Sequence, residues 1–319
     1  MKKGWGGNMP CPFSRKGRDE GLSLDMASEK RRRRWKPDWT TAYIMVLPFT
    51  VLLLGLVVYP IVWNVIISFE SKGVLSLANY RQILSDPAFG RVAYNTTLWT
   101  LGSVVPQLVI GLGVAMLLNQ KVKGSPFFRA VILVLPWATP HIVAALAWRW
   151  MYNDLYGVFN DLLLRVGLQP VAWLGQPDWA RFSVIVANNW KGFSLSAMFY
   201  LAGLQTIPED ILEAARVDGA GRWASFRHVV LPHLRVTITL TVLLTVIFTI
   251  NYFPLIFVMT RGGPAQATDT FITWAYLVGF THLSFPGSAA ISTINFLIIL
   301  VASSFYVYFL TRPKETGGA

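Results

Sequence analysis

The sequence predicts an all-α polytopic membrane protein with six transmembrane helices and a cytoplasmic helix–turn–helix loop. Three observations lead there. Hydrophobic residues make up 54% of the 319 positions and charged residues only 14%, whereas a soluble domain carries about a quarter charged residues. Six segments reach the roughly 20 mostly apolar residues that span hydrocarbon. A polar island at 206–232 breaks the pattern between the fourth and fifth of them.

Taken in order, residues 1–37 read as a basic cytoplasmic tail, largely disordered. Eleven of the 28 Lys and Arg fall in residues 1–36, including Lys30-Arg31-Arg32-Arg33-Arg34. Such a run ahead of a span reads as a topology anchor on anionic lipid rather than a nucleic-acid site. The tail has no early apolar run and resembles neither a secretory signal nor a transit peptide. Cys11 is the single cysteine, so no intrachain disulfide forms.

Residues 38–92 read as the first span, Tyr43 to Ser68, with an outer segment. Residues 93–312 read as the main transmembrane domain and 313–319 as a cytoplasmic tail. Spans two to six are predicted at Thr97–Leu118, Phe127–Met151, Phe182–Leu204, Val236–Met259 and Ala289–Leu310. None contains Asp or Glu. Pro48, Pro60, Pro106, Pro136, Pro140 and Pro254 lie inside them, where kinks are expected and neighbouring helices satisfy the freed carbonyls. With the N-terminus inside, the tail, Lys121, Lys123, Arg129, the four island arginines, Arg312 and Lys314 are all cytoplasmic. This bias places both termini inside.

In the island, Thr206-Ile207-Pro208-Glu209 has the spacing of a capping box, with proline suited to a first turn. Asp210 adds negative charge at the positive end of the helix. A short helix is expected over Ile211–Val217, stopped by Gly219 and Gly221. A second begins near Arg222, with Trp223, Phe226 and Val230 on one face, and Pro232 closes it. On these residues alone the island is either a docking element for a partner or a connector packed on its own bundle.

Two polar clusters lie within spans. Asn188, Asn189, Trp190 and Lys191 sit in the fourth, and Asn251, Tyr252 and Phe253 in the fifth. An ionisable residue at membrane depth is a functional hypothesis by default. Amides with aromatics suit a polyhydroxylated ligand. For Lys191 the competing reading is snorkelling to the outer interface, helped by a backbone break at Gly192. For Asn251 it is a helix–helix hydrogen bond. Arg149, between Trp148 and Trp150, reads as a snorkelling anchor.

The island also resembles the Glu-Ala-Ala loop of ABC importer permeases. Glu213-Ala214-Ala215, three residues, Gly219, nine residues, then Val229-Val230-Leu231-Pro232 fill every position of that pattern. Further segments are similar to the maltose-type carbohydrate branch in the same order along the chain. They are Leu77-Ala78-Asn79-Tyr80, Asn95-Thr96-Thr97, Phe128-Arg129-Ala130, Leu135-Pro136-Trp137, Trp148-Arg149-Trp150-Met151, Asn189-Trp190-Lys191-Gly192 and Gly262-Gly263-Pro264. The resemblance covers roughly residues 40–312.

It implies a type I importer permease fold. The loop would be a coupling helix in which Glu213, Ala214, Ala215 and Gly219 contact an ATPase, and Leu231 and Pro232 set the exit into span five. It further implies a second homologous permease, an ATPase dimer, an extracytoplasmic sugar-binding protein and alternating access in a bacterial inner membrane. The chain has no Gly-x-x-x-x-Gly-Lys-Ser/Thr phosphate loop. ATP and Mg are therefore expected on the ATPase, with no cofactor, metal or catalytic residue here. Two other classes remain: an ion-coupled transporter, which ordinarily shows intramembrane carboxylates, and an intramembrane enzyme, for which the spans hold only His141 as an obvious base.

Overall fold

The structure, a computed structural model, describes residues 39–120 and 125–311. The basic tail, Lys121, Lys123, Arg312 and Lys314 lie outside the described residues. The chain divides into two compact units, residues 1–61 and Val62–Ala319. In the first, the described part is the opening stretch of helix α1 (Trp39–Ser68), and no residue of it through Ile61 is buried.

The second unit continues with a two-residue hairpin, β1 (Glu70–Ser71) paired antiparallel with β2 (Val74–Leu75). There follow α2 (Ala78–Ser85), α3 (Pro87–Leu118), α4 (Pro126–Ala138), α5 (His141–Met151), α6 (Val158–Arg165) and α7 (Pro177–Gln205). After these come α8 (Glu209–Val217), α9 (residues 222–233), α10 (Arg235–Thr260), α11 (Phe271–Thr281) and α12 (Phe285–Thr311).

Each of the six predicted spans falls on helix, with the third interrupted at Thr139–Pro140 and the fifth at Asn251–Tyr252. Among the described residues, α1, α3, α10 and α12 are long and apolar enough to cross a membrane, and α4 with α5 makes a fifth if the pair is one span. That pair bends by 96°. Helix α7 has 29 residues, enough for about 43 Å, but Asn188, Asn189, Lys191 and its serines dilute its apolar character.

The prolines act in more than one way. Pro60, Pro136 and Pro232 each stand two residues after a widened turn, at Leu54–Val58, Ala130–Val134 and Phe226–Val230. A proline ring clashes with the carbonyl four residues back and supplies no amide to it. Widening the turn relieves both problems without breaking the helix. Pro140 instead sits at the break between α4 and α5, where Thr139 turns extended, as a residue before proline prefers. Pro254 restarts α10 after an interruption at Asn251 and Tyr252.

Helices α3 and α7 form the most extensive pairing. Small residues allow it: a Cβ at Gly111 would lie 2.8 Å from that of Ser196, and Gly203 likewise leaves room on α7 for Leu234 and Thr237 at the entry to α10. Two cores fill opposite ends of α7. Near its start, Trp99, Trp148, Tyr152, Val184, Leu255 and Met259 pack with Phe159, Trp173 and Trp190. Near its end the filling is mostly aliphatic, with Leu118, Leu133, Leu201, Leu204, Ile207 and Leu234 around Tyr200. Between Ala187 of the first core and Ala197 of the second, α7 carries Asn188, Lys191 and Ser194, all buried.

Candidate functional site

Between the cores is an open-sided cavity of ≈ 630 Å³. Helix α7 contributes Asn188, Lys191 and Gly192; α3 contributes Gln107; the α4–α5 pair contributes Trp137 and His141. Helix α10 supplies Thr245, Phe248, Thr249, Asn251 and Tyr252. Gly192 is not a backbone break, since α7 runs through it without interruption. Its role is space: a Cβ there would lie 2.3 Å from the Gln107 amide. Without that side chain, Gln107 reaches over α7 and donates to the Asn188 carbonyl at 3.3 Å.

Lys191 does not snorkel. It is only 7% exposed, and its ammonium donates to the carbonyls of Thr139 at 2.6 Å, Pro136 at 3.2 Å and Trp137 at 3.4 Å. Across the cavity His141 Nδ1 and the Tyr252 hydroxyl share a hydrogen bond of 2.6 Å. The His141 ring meets Tyr252 edge-on. Asn251 makes the helix–helix hydrogen bond of its competing reading. Its Oδ1 accepts from Asn295 Nδ2 of α12 at 3.3 Å, and it lines the cavity. The Asn188 amide nitrogen is buried without a partner.

Of the seven predicted span residues, Asn188, Lys191, Asn251 and Tyr252 come together. Asn189 faces α3, donating to the Gly102 carbonyl at 3.1 Å. Trp190 belongs to the aromatic core, 5.9 Å from Trp148. Phe253 stacks on Phe257 at 4.8 Å. Sequence reading missed Gln107, Trp137, Thr245, Phe248 and Thr249. Gln107 was visible as a lone amide beside Pro106 in an apolar run. Thr241, Thr245 and Thr249, one turn apart and all buried, mark the face of α10 turned inward. Arg149 is exposed and donates to the Val258 carbonyl at 3.3 Å.

The island forms the predicted pair of short helices, but its start is different. Thr206 closes α7, donating to the Gly203 carbonyl at 2.8 Å, and Pro208 rather than Thr206 precedes α8 with no side-chain cap. The capping box does not form because α7 holds Thr206 as its own final turn. Glu209 and Asp210 do lie in the first turn of α8. The C-terminus is tightly specified. Gly219 has φ +82°, the left-handed region that glycine enters freely. The Ala220 amide bonds the Ala215 carbonyl at 2.9 Å and the Gly219 amide bonds that of Arg216 at 3.0 Å, the paired bonds of a glycine-terminated helix.

Leu212 and Val230 pack on the aliphatic core beside the buried Leu234, so one side of the island is seated on the bundle. The other is open. Glu213, Ala214, Gly219, Leu231 and Pro232 are exposed and Ala215 is half-buried. The expected apolar face of α9 splits, with Val230 turned inward and Trp223 left 70% exposed beside Phe226. Val217 is 87% exposed.

Beyond the far end of α10, residues 261–270 make a compact loop. Asn95 donates to the Gln266 carbonyl at 2.8 Å and Arg181 to that of Ala267 at 3.0 Å. Asp269 is buried there and accepts from Thr273 Oγ1 at 3.1 Å. Burial pushes its carboxyl above the usual range, and the Thr273 hydrogen bond opposes that shift.

A helical bundle with a polar chamber between two apolar cores and an exposed short-helix island is the build of a membrane transport subunit. The chain belongs to the family of binding-protein-dependent transport system inner membrane components, whose family model matches residues 107–315. It is similar to the trehalose/maltose transport system permease protein MalF of Thermococcus litoralis, 34% identical over 84% of this chain and 92% of that one. It is also similar to the sulfoquinovosyl glycerol transport system permease protein SmoG of Agrobacterium fabrum, 32% identical over 90% and 97%. Among solved structures it matches a bacterial alginate ABC transporter in complex with an alginate pentasaccharide-bound periplasmic protein. That match has a TM-score of 0.78 and 25% identity, over 90% of this chain and 100% of that one. The chain is thus an inner-membrane permease subunit and not an enzyme.

Proposed function

We propose that this permease moves a sugar or sugar derivative inward by alternating access, driven by ATP hydrolysis on a separate ATPase dimer that carries the ATP and Mg. A second homologous permease would complete the channel, and an extracytoplasmic binding protein would deliver the cargo. All six predicted segments would cross the membrane, with both termini and the island in the cytoplasm.

The observation that carries this reading is the cavity. Gln107, Asn188 and Asn251 offer amides, Thr245 and Tyr252 offer hydroxyls, and Trp137, Phe248 and Tyr252 offer aromatic faces. Amides and hydroxyls complement sugar hydroxyl groups, and apolar rings suit the C–H faces. The unpartnered Asn188 amide favours a hydroxyl-bearing occupant. The relatives named above and a diacetylchitobiose uptake permease of Streptomyces coelicolor all bear names of carbohydrate transport, which supports the same cargo class.

In the island, Glu213, Ala214, Ala215 and Gly219 would seat in the ATPase. The two alanines permit close approach, and Glu213 offers charge-assisted hydrogen bonds. Leu231 and Pro232 would fix the exit into α10. Exposed Val217 and Trp223 on an otherwise polar element suit a covered partner surface.

The test reconstitutes permeases, ATPase and binding protein in liposomes and measures ATP hydrolysis with maltose, trehalose, diacetylchitobiose and an alginate oligosaccharide. Stimulation by at least one glycan, accompanied by its uptake, is expected. Stimulation by an amino acid or a metal ion and by no glycan overturns the cargo assignment.

A further inference from the structure

Among the described residues, Lys191 is the sole formal cation lining the cavity, and no acidic residue lines it. A buried ammonium at membrane depth is costly unless its charge is satisfied. Here the satisfying groups are unusual. The break at Thr139–Pro140 ends α4, and a helix end leaves its last carbonyls without amide partners. Pro140 has no N–H to offer Pro136, and the extended Thr139 directs the following amides away. The carbonyl end of a helix also carries partial negative charge. Lysine has three hydrogens to donate. The structure places all three on the carbonyls of Pro136, Trp137 and Thr139.

We infer that Lys191 is a positioning residue: it caps the broken third span, fixes the 96° bend and so sets the cavity wall, and its charge is withdrawn from the cargo. The bend places His141 where it bonds Tyr252 at 2.6 Å, directly beside the interruption in α10. The broken third span is thereby tied to α7 through the Lys191 ammonium and to α10 through the His141 imidazole. The lining left for cargo is amide, hydroxyl and aromatic. It selects a glycan by its hydroxyls and rings, not by a carboxylate or sulfonate. The statement about cargo rests on the transport reading above; the statement about the bend does not.

The experiment separates the two. In the full chain with Cys11→Ser, spin labels at Val134→Cys and Trp150→Cys, both exposed positions, report the α4–α5 distance by pulsed EPR in the assembled complex. Lys191→Met is expected to broaden and shift the distance distribution, and Lys191→Arg to keep it narrow. In the unlabelled complex, with the glycan that stimulates hydrolysis as probe, Lys191→Met should lower the maximal rate about tenfold or more. KM should stay within about threefold, the pattern of lost positioning rather than lost cargo contact. Lys191→Arg should restore most of the rate. An unchanged distance distribution in Lys191→Met overturns the clamp. A rise in KM alone, selective for an anionic glycan, overturns the withdrawal of charge. If no glycan stimulates the wild type, the transport reading fails while the distance measurement still decides the clamp. Should Lys191→Met not accumulate, Lys191→Gln, which keeps two amide hydrogens, carries the same comparison.

Discussion

The island and the cavity are assembled by opposite routes. In the island, Glu213, Ala214, Ala215 and Gly219 fall within seven consecutive residues, stay largely exposed and are held by bonds to near neighbours. In the cavity, Gln107, Trp137, His141, Lys191, Thr245 and Asn251 arrive from distant parts of the chain. Each is placed by a groove, a break or a carbonyl on another helix. A local element tolerates change in the bundle and fails through its own backbone. An assembled site fails when any one wall moves.

The sharpest way to break the comparison is Gly192→Leu. The new side chain would occupy the space of the Gln107 amide, and overpacking of this kind costs about 1–3 kcal/mol. Uptake should be lost, while affinity pull-down shows the ATPase still bound, because the island is untouched. Loss of ATPase binding as well would mean that the two regions are not separable.

Gly219→Pro is the reciprocal change. Proline cannot adopt φ +82°, since its ring holds φ near about −65°. The expected outcome is weakened ATPase association, by about tenfold or more, with the labelled α4–α5 distance unchanged. Glu213→Ala should do less. As an exposed substitution it shifts stability by no more than about 0.5 kcal/mol, and cargo-stimulated hydrolysis should fall several-fold. Unchanged stimulation in both variants would return the island to the role of a plain connector.

The smallest effect concerns neither region. Asp269, buried in the loop after α10, has its carboxyl pushed up by burial. The folded state then holds its proton to higher pH than the unfolded state does. Its contribution to stability is greatest below the unfolded value and declines as pH rises through the folded one. Thermal melts from mildly acidic to neutral pH should show that decline, and Asp269→Asn should flatten it. An identical pH profile in the variant would show that the carboxyl stays ionised.

Much of the island was legible in the sequence, because acidic residues, alanines and a glycine stop act within a few residues of one another. Thr206 is the exception. Its spacing to Glu209 matched a capping box, but α7 continues far enough to claim it. The cavity was half legible. Polar residues inside apolar spans announce themselves, yet their direction does not follow from spacing. Asn188 and Asn189 are adjacent, and one lines the cavity while the other bonds Gly102.

The sequence by itself determined the class of protein, the order of its helices and the form of the exposed loop, since hydropathy, proline and glycine act locally. Tertiary structure alone decided which polar side chains face a common space and what Lys191 bonds. Those outcomes depend on carbonyls freed at Pro140 and on the room left at Gly192, and each becomes relevant only when a second helix packs against it.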